Sequence, residues 1–168
     1  MIETERLYLR LMKESDTDDM LGIFNEPKLM KAFGFESFSR EQMIRWVSRN
    51  LQYQEKYGYG LFSVILKSNG KLIGDCGLEC TTFEGNECIE IGYDFSSVYW
   101  NQGYATEAAS AVRDFSINDL NIDSRLLCSF IRKINAPSIR VSQKIGMKKT
   151  KEYSQNGIEY YLYQFPPP

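Results

Sequence analysis

The chain has 168 residues, 43% of them hydrophobic, enough for one domain with a full core and no disulfide or metal staples. Its 20 basic and 22 acidic residues leave a net charge of −2, without the basic excess of a general nucleic-acid binder. Histidine is absent, which removes Ser-His-Asp and Cys-His hydrolases and most zinc hydrolases.

Leu7-Tyr8-Leu9-Arg10-Leu11 alternates and predicts a first strand. Ser15 with Asp18 resembles a capping box opening a helix to about Asn25, and Pro27 starts another helical turn. Gly34 to Phe38 is an aromatic-rich loop. Ser39 and Gln42 form a second capping box, for a helix whose inner face includes Ile44, Val47 and Leu51, ended by Gly58 and Gly60. Leu61–Leu66, Lys71–Thr81 and Cys88–Phe95 read as three consecutive antiparallel strands, separated by turns at 68–70 and 83–86. The period then changes: Ala105, Ala108, Ala109, Val112 and Phe115 form an apolar helical face running to about Leu120. A strand at 125–131 follows, then a short helix at 136–145 ended by Gly146, then two final strands around the turn at 154–157. The prolines at 166–168 cannot continue a ladder. No linker or repeat interrupts this order, so one α+β domain over residues 1–168 is expected.

The four cysteines, Cys76, Cys80, Cys88 and Cys128, contain no C-x-x-C pair; Cys76 and Cys80 would share one strand face, where a metal or redox role is the alternative, but buried free thiols with no metal are the expectation. The longest stretch without a charge, Phe95 to Thr106, is too short and polar to span a membrane. Glu3 and Glu5 directly behind Met1 are unlike a secretory signal, so a cytoplasmic protein without membrane or nucleic-acid partners is expected. The charge is segregated. From Leu72 to Val112 there is no Lys or Arg, only Asp75, Glu79, Glu84, Glu87, Glu90, Asp94 and Glu107. From Ser124 to Lys151 there are eight basic residues and no acid. Two solvated faces would explain this; so would a site taking an anionic ligand over the basic segment and a cationic one beside the acidic segment.

The segment from Glu90 to Ala108 reads as a strand, a loop and a helix start with small residues where the backbone bends. Unpaired N–H groups and the positive dipole end make such a turn able to hold a phosphate, with Gly103 permitting close approach and Thr106 offering a hydroxyl. A tight connection without ligand is the plain alternative. Neither the P-loop nor the dinucleotide fingerprint fits it.

Three ordered motifs carry a resemblance: Glu90-Ile91-Gly92-Tyr93; Tyr99-Trp100-Asn101-Gln102-Gly103-Tyr104-Ala105-Thr106-Glu107-Ala108; and Asn135-Ala136-Pro137-Ser138 followed by Lys144-Ile145-Gly146-Met147. Together with the opening Thr4 to Arg10, they resemble the GCN5-related N-acetyltransferase (GNAT) superfamily, in its ribosomal-protein-alanine-acetyltransferase branch, over the whole chain. The resemblance implies a mixed, mostly antiparallel seven-stranded sheet with a splayed parallel pair, flanked by about four helices. It also implies acetyl-CoA as cosubstrate, no metal, and direct transfer to a primary amine, on a small molecule or a protein N-terminus, by a monomer or homodimer. By motif position, Gln102, Gly103, Tyr104, Ala105 and Thr106 would cradle the pyrophosphate. The backbone of Tyr93, Asp94 and Phe95 would pair with the pantetheine arm, Asn135 would contact the cofactor, and Arg140 and Lys144 would meet its phosphates.

Two positions depart from the wider superfamily. Trp100 stands where Gln or Arg is usual, as this branch commonly has it, and Ser142 stands where many relatives carry a proton-donating Tyr; Ser138 matches the serine used instead in the branch. Glu90 is the candidate base, on the same strand face as Gly92 and Asp94, where burial near other acids would raise its pKa. The alternative role for Glu90 is to order the sheet or attract the amine, and for Ser138 to cap its helix. The loop from Phe33 to Phe38, with Trp46, Tyr53 and Tyr57, would cover the acceptor side. A non-catalytic acyl-CoA sensor of the same fold is the competing function.

Overall fold

In the computed structural model, which describes residues 1–167, the chain runs β1 (Ile2–Glu3), β2 (Leu7–Leu11), α1 (Thr17–Phe24), α2 (Pro27–Phe33), α3 (Arg40–Tyr57), β3 (Leu61–Leu66), β4 (Leu72–Phe83), β5 (Asn86–Phe95), α4 (Tyr104–Asn118), β6 (Leu127–Arg132), α5 (Ala136–Lys144), β7 (Lys148–Gln155) and β8 (Ile158–Gln164). Pro168, the last residue of the expected tail, lies outside the described residues. The sheet has eight strands rather than seven, because Ile2 and Glu3 pair with Leu9 and Tyr8 as a two-residue edge strand too short to show a period. Pro27 opens a full short helix, which brings the α-helices to five.

Capping accounts for the helix boundaries. Ser39 Oγ accepts from the Gln42 N–H at 3.2 Å while Gln42 Oε1 accepts from the Ser39 N–H at 2.7 Å, closing the box expected there. The box expected at Ser15 lies elsewhere. Asp16 accepts from the Lys13 N–H at 2.9 Å, so a 3-10 turn precedes α1, which begins at Thr17. Of the expected inner face of α3, Val47 is buried and Leu51 packs against the same cluster, but Ile44 is 43% exposed and Met43 takes the inward place beside it.

The strand order is β1-β2-β3-β4-β5-β6-β8-β7, antiparallel except for β5 and β6. That exception follows from α4, since a crossover helix between neighbouring strands makes them parallel. One sheet face packs Leu7, Leu9, Val64, Cys76, Leu78, Ile91 and Leu127 against Ala108, Ala109 and Val112 of α4. The other carries a second cluster, with Met20, Ile23 and Phe24 of α1 against Met43 and Val47 of α3. Cys76 and Cys128 are buried as expected, but Cys88 is half-buried and Cys80 exposed, because β4 and β5 run past the core toward their hairpin.

β5 and β6 pair at only two rungs, Ile89 with Leu127 and Glu90 with Cys128. Ser129 Oγ donates to the Ile91 carbonyl at 2.9 Å just beyond, and then the strands part. This splay is the opening on which the site is built.

Under α1 a polar row crosses the sheet. Arg10, Ser63, Asp75 and Asp94 stand opposite one another on β2, β3, β4 and β5. Asp16 ties the first two together: Arg10 grips it through two nitrogens at 2.7 and 2.8 Å, and Ser63 Oγ donates to it at 2.7 Å. Burial works to raise the Asp16 pKa, but bonds from Arg10, Ser63 and the Lys13 amide hold it below the ordinary value. Asp16→Ala is expected to lose about 3 kcal/mol in urea unfolding, since it leaves Arg10 without its counter-ion, with only the Leu11 carbonyl to accept from it, and Ser63 Oγ without its acceptor. A carboxyl with a lowered folded pKa contributes stability above its unfolded value and loses it as pH falls through the folded one. The gap between wild type and variant should therefore close in acid.

Candidate active site

The loop after β5 bends where its residues allow left-handed backbone. Asn101 has φ 60° and Gly103, the residue before α4, has φ 85°. Gly103 supplies no side-chain cap, and the first intrahelical bond runs from the Glu107 N–H to its carbonyl at 2.9 Å. The amides of Tyr104, Ala105 and Thr106 are thus left for a ligand at the positive end of a 15-residue helix.

A clamp the sequence did not reveal holds this turn. Arg6 reaches from the start of the chain, its Nη1 donating to the Gln102 carbonyl at 2.9 Å and its Nε to Glu107 at 2.7 Å, with its guanidinium 4.3 Å from the Tyr104 ring centre. Thr4 Oγ1 donates to the same carboxylate at 2.6 Å. Burial would raise Glu107, but the bonds from Thr4 and Arg6 hold it below the ordinary glutamate value, so it stays a carboxylate.

Beside the turn lies a cleft of about 210 Å³. Tyr93 and Phe95 of β5 form one wall and Asn135, Ser138, Arg140, Val141 and Lys144 the facing wall on α5; Gly103 to Thr106 close one end, with Ala32 and Phe33 of α2 above. Ten of the thirteen residues singled out in the sequence line it: Tyr93, Phe95, Gly103, Tyr104, Ala105, Thr106, Asn135, Ser138, Arg140 and Lys144. Gln102 does not; its Nε2 donates back to the Val98 carbonyl at 2.9 Å. Asp94 and Glu90 lie on the other face of β5. Trp100 and Tyr99 join the lining, and the Trp100 indole donates to the Phe95 carbonyl at 2.7 Å, fixing the end of the strand.

The α5 wall is set by its cap. Asn135 Oδ1 accepts from the Ser138 N–H at 3.2 Å, with Pro137 in the first turn, and Tyr93 OH donates to the Ser138 carbonyl at 3.0 Å across the cleft. Ser138 is thereby held from both sides, 7% exposed. Ser142 is fully buried and bonds its own helix, Oγ to the Ile139 carbonyl at 3.0 Å.

On the opposite face of the sheet, Glu79 stands across from Glu90 and Asp75 across from Asp94, four carboxylates on the β4–β5 pair. Glu90 occupies the last rung of the parallel pair, and its Oε1 accepts from the Phe130 N–H at 3.3 Å across the parting strands. Burial, with Glu79 and Asp94 adding to it against that bond, pushes Glu90 up to about 7. Burial and Glu79 push Asp94 to about 7 as well, and burial beside Asp94 raises Asp75 well above the carboxylate range. Both oxygens of Asp75 and one of Asp94 are buried without a hydrogen-bond partner among the described residues. Among the described residues, no three His, Cys, Asp or Glu side chains are grouped to hold a metal ion, and no helix is long and apolar enough to cross a membrane.

The segregated charges therefore divide. Several only neutralise each other, as in Lys151 with Glu84 and Lys133 with Glu152 and Glu159. Arg140 and Lys144 line the cleft, and the four carboxylates gather on the other side of the splay.

Residues 6–148 match the family model described as an acetyltransferase (GNAT) domain. The uncharacterized protein YkkB of Bacillus subtilis (strain 168) is 34% identical over 149 residues, 88% of this chain and 85% of that protein. The uncharacterized N-acetyltransferase YnaD of the same organism is 31% identical over 149 residues, 88% of this chain and 82% of that protein. Among solved structures, the acetyltransferase (GNAT family) from Bacillus anthracis superposes with a TM-score of 0.80 at 26% identity, covering 96% of this chain and 95% of that one.

Proposed function

Because the chain belongs to the GNAT acetyltransferase family, whose members use acetyl-CoA, we propose that it moves the acetyl group of acetyl-CoA to a primary amine by direct transfer in a ternary complex. The observation that carries this reading is the position of Glu90, at the last rung before the strands part, with its pKa raised to about 7. A base with that pKa is half ionised near neutral pH and can accept a proton from an ammonium that has entered from the acidic face.

The cleft suits the other substrate. The free amides of Tyr104, Ala105 and Thr106 suit a pyrophosphate, and Arg140 and Lys144 place two cations beside it. Beyond Glu90 the cleft-side edge of β5 has no strand partner; the Ile91 and Phe95 carbonyls are taken by Ser129 and the Trp100 indole, which leaves the backbone around Tyr93 between them to pair with the amides of the pantetheine arm as a substitute strand would. The thioester carbonyl then lies at the splay. The amine nitrogen, relieved of a proton by Glu90, forms the new bond to the carbonyl carbon. The carbon–sulfur bond breaks as the intermediate collapses, and the departing thiolate takes a proton through the Ser138 hydroxyl on the facing wall, which the second proton released by the amine nitrogen restores.

Release of free thiol from acetyl-CoA, in step with acetylation of a panel of amines, tests the activity. Ser138→Ala is expected to lower kcat by about 100-fold while leaving the acetyl-CoA KM within a few-fold, the pattern of a group that acts in the transition state. An unchanged kcat would remove Ser138 from the reaction. Binding of acetyl-CoA without thiol release for any amine would favour the sensor.

A further inference from the structure

A second cavity, of about 540 Å³, opens beside the first rung of the parallel pair and shares no lining residue with the cleft beside α4. Two of the four cysteines, Cys88 and Cys128, line it. Cys128 is the register partner of Glu90, and alternate residues share a strand face. Cys88, two residues before Glu90, therefore stands on the same face as Cys128, diagonal to it across the two strands. The thiols meet as hydrogen-bond partners. Burial, then the Cys88 charge and that hydrogen bond, push the Cys128 thiol well above its ordinary value. Cys88 is half-buried and Cys128 fully buried, so the pair is reached from the cavity by way of Cys88.

Diagonal positions on neighbouring strands set the Cα atoms roughly 7–8 Å apart. That is beyond the span a disulfide closes without moving the backbone. A single atom held between the two sulfurs needs no such movement, because two metal–sulfur bonds of about 2.3 Å in line reach about 4.6 Å. Thiolates select soft metals, chiefly Cu(I), Zn(II) and the iron of iron–sulfur clusters. Structural zinc and the clusters call for four ligands. Among the described residues no third Cys, His, Asp or Glu is grouped with the two thiols. Cu(I) is the ion of the three that two thiolates in line suffice to hold.

We propose that Cys88 and Cys128 form a two-coordinate site for Cu(I), with the second cavity as its entrance. Binding displaces both thiol protons: one Cu(I) and two thiols give a bis-thiolate of net charge −1 and two protons. The cavity wall sets Arg125 and Lys151 against Glu84 and Glu87, so it adds no net charge against the anion that forms.

The test titrates Cu(I) into the reduced protein under anaerobic conditions, in competition with a colorimetric Cu(I) chelator. One ion per chain should stay on the protein, with two sulfur neighbours by X-ray absorption. Cys88→Ser should lose that ion and leave the metal-free protein folded, since the position is half-buried. Cys128→Ser should lose it as well, but it puts a hydroxyl in a fully buried place, so Cys88→Ser carries the test. Cys80→Ser, which removes the exposed thiol outside the cavity, should keep the ion. Complete transfer of copper to the chelator, an ion still held by Cys88→Ser, its loss in Cys80→Ser, or one ion shared between two chains would each overturn the inference. Metal retention is read without turnover, so acetyl transfer stands or falls separately.

Discussion

Gly103→Glu is expected to abolish the stabilisation that acetyl-CoA gives the wild-type protein. With the ligand at about 100 times Kd, binding to the folded state alone contributes about 2.7 kcal/mol. For a chain of this size that corresponds to a rise in Tm of roughly 5–11 °C. The substitution acts in two ways. Gly103 has φ 85°, where any side chain strains the turn that presents the amides of Tyr104, Ala105 and Thr106. The added carboxylate also brings like charge to the place proposed for the pyrophosphate. The Arg6 Nη2 atom lies 3.3 Å from where the new Cβ would be, so the clamp on Glu107 and Gln102 would be disturbed as well. Gly103→Ala separates the contributions, because it keeps the strain and omits the charge; it should retain part of the shift. A full shift in folded Gly103→Glu would place the cofactor away from this turn.

Glu90→Gln is expected to lower kcat by 10²- to 10⁴-fold, the range for removal of a general base. The pH profile distinguishes catalysis from charge attraction. A carboxyl raised to about 7 is protonated and inactive as a base below that pH, so the wild-type rate should climb from pH 6 to 8 with an inflection near 7. Asp94 is raised to a similar value on the same face, so the inflection belongs to the group of acids rather than to one of them. In Glu90→Gln the residual rate should lose that inflection. A variant that keeps both the inflection and most of kcat, with a raised acceptor KM, would make Glu90 an electrostatic anchor instead.

The order of elements was legible because each carries a local pattern: alternation in β2, the Ser39–Gln42 box before α3, glycine at 58 and 146, and a helical stripe in α4. The errors fell where tertiary contacts decide. Asp16 rather than Ser15 organises the start of α1 because Arg10 and Ser63, distant in sequence or strand, converge on it. Ile2 and Glu3 form a strand only because β2 offers them an edge. Ile44 is exposed because Met43 and Val47 are the residues that α3 turns toward Met20, Ile23 and Phe24 of α1.

The candidate site divides along the same line. The Gly103 turn and the Asn135–Ser138 cap are contiguous motifs, and short-range backbone geometry makes both, so the residues alone marked the candidate place for a phosphate-bearing ligand. The alternation of β5 likewise determined that Glu90 and Asp94 share a face. The sequence could not determine what meets that face. Arg6 reaches the turn from about a hundred residues away, and Asp75 faces Asp94 only through the β4–β5 register. Hydrogen-bond and turn propensities act over a few residues, whereas burial and charge act between strands that the fold brings together, so the strand pattern implied a raised Glu90, and only the tertiary structure decided which carboxylates stand against it and which stay without a partner among the described residues.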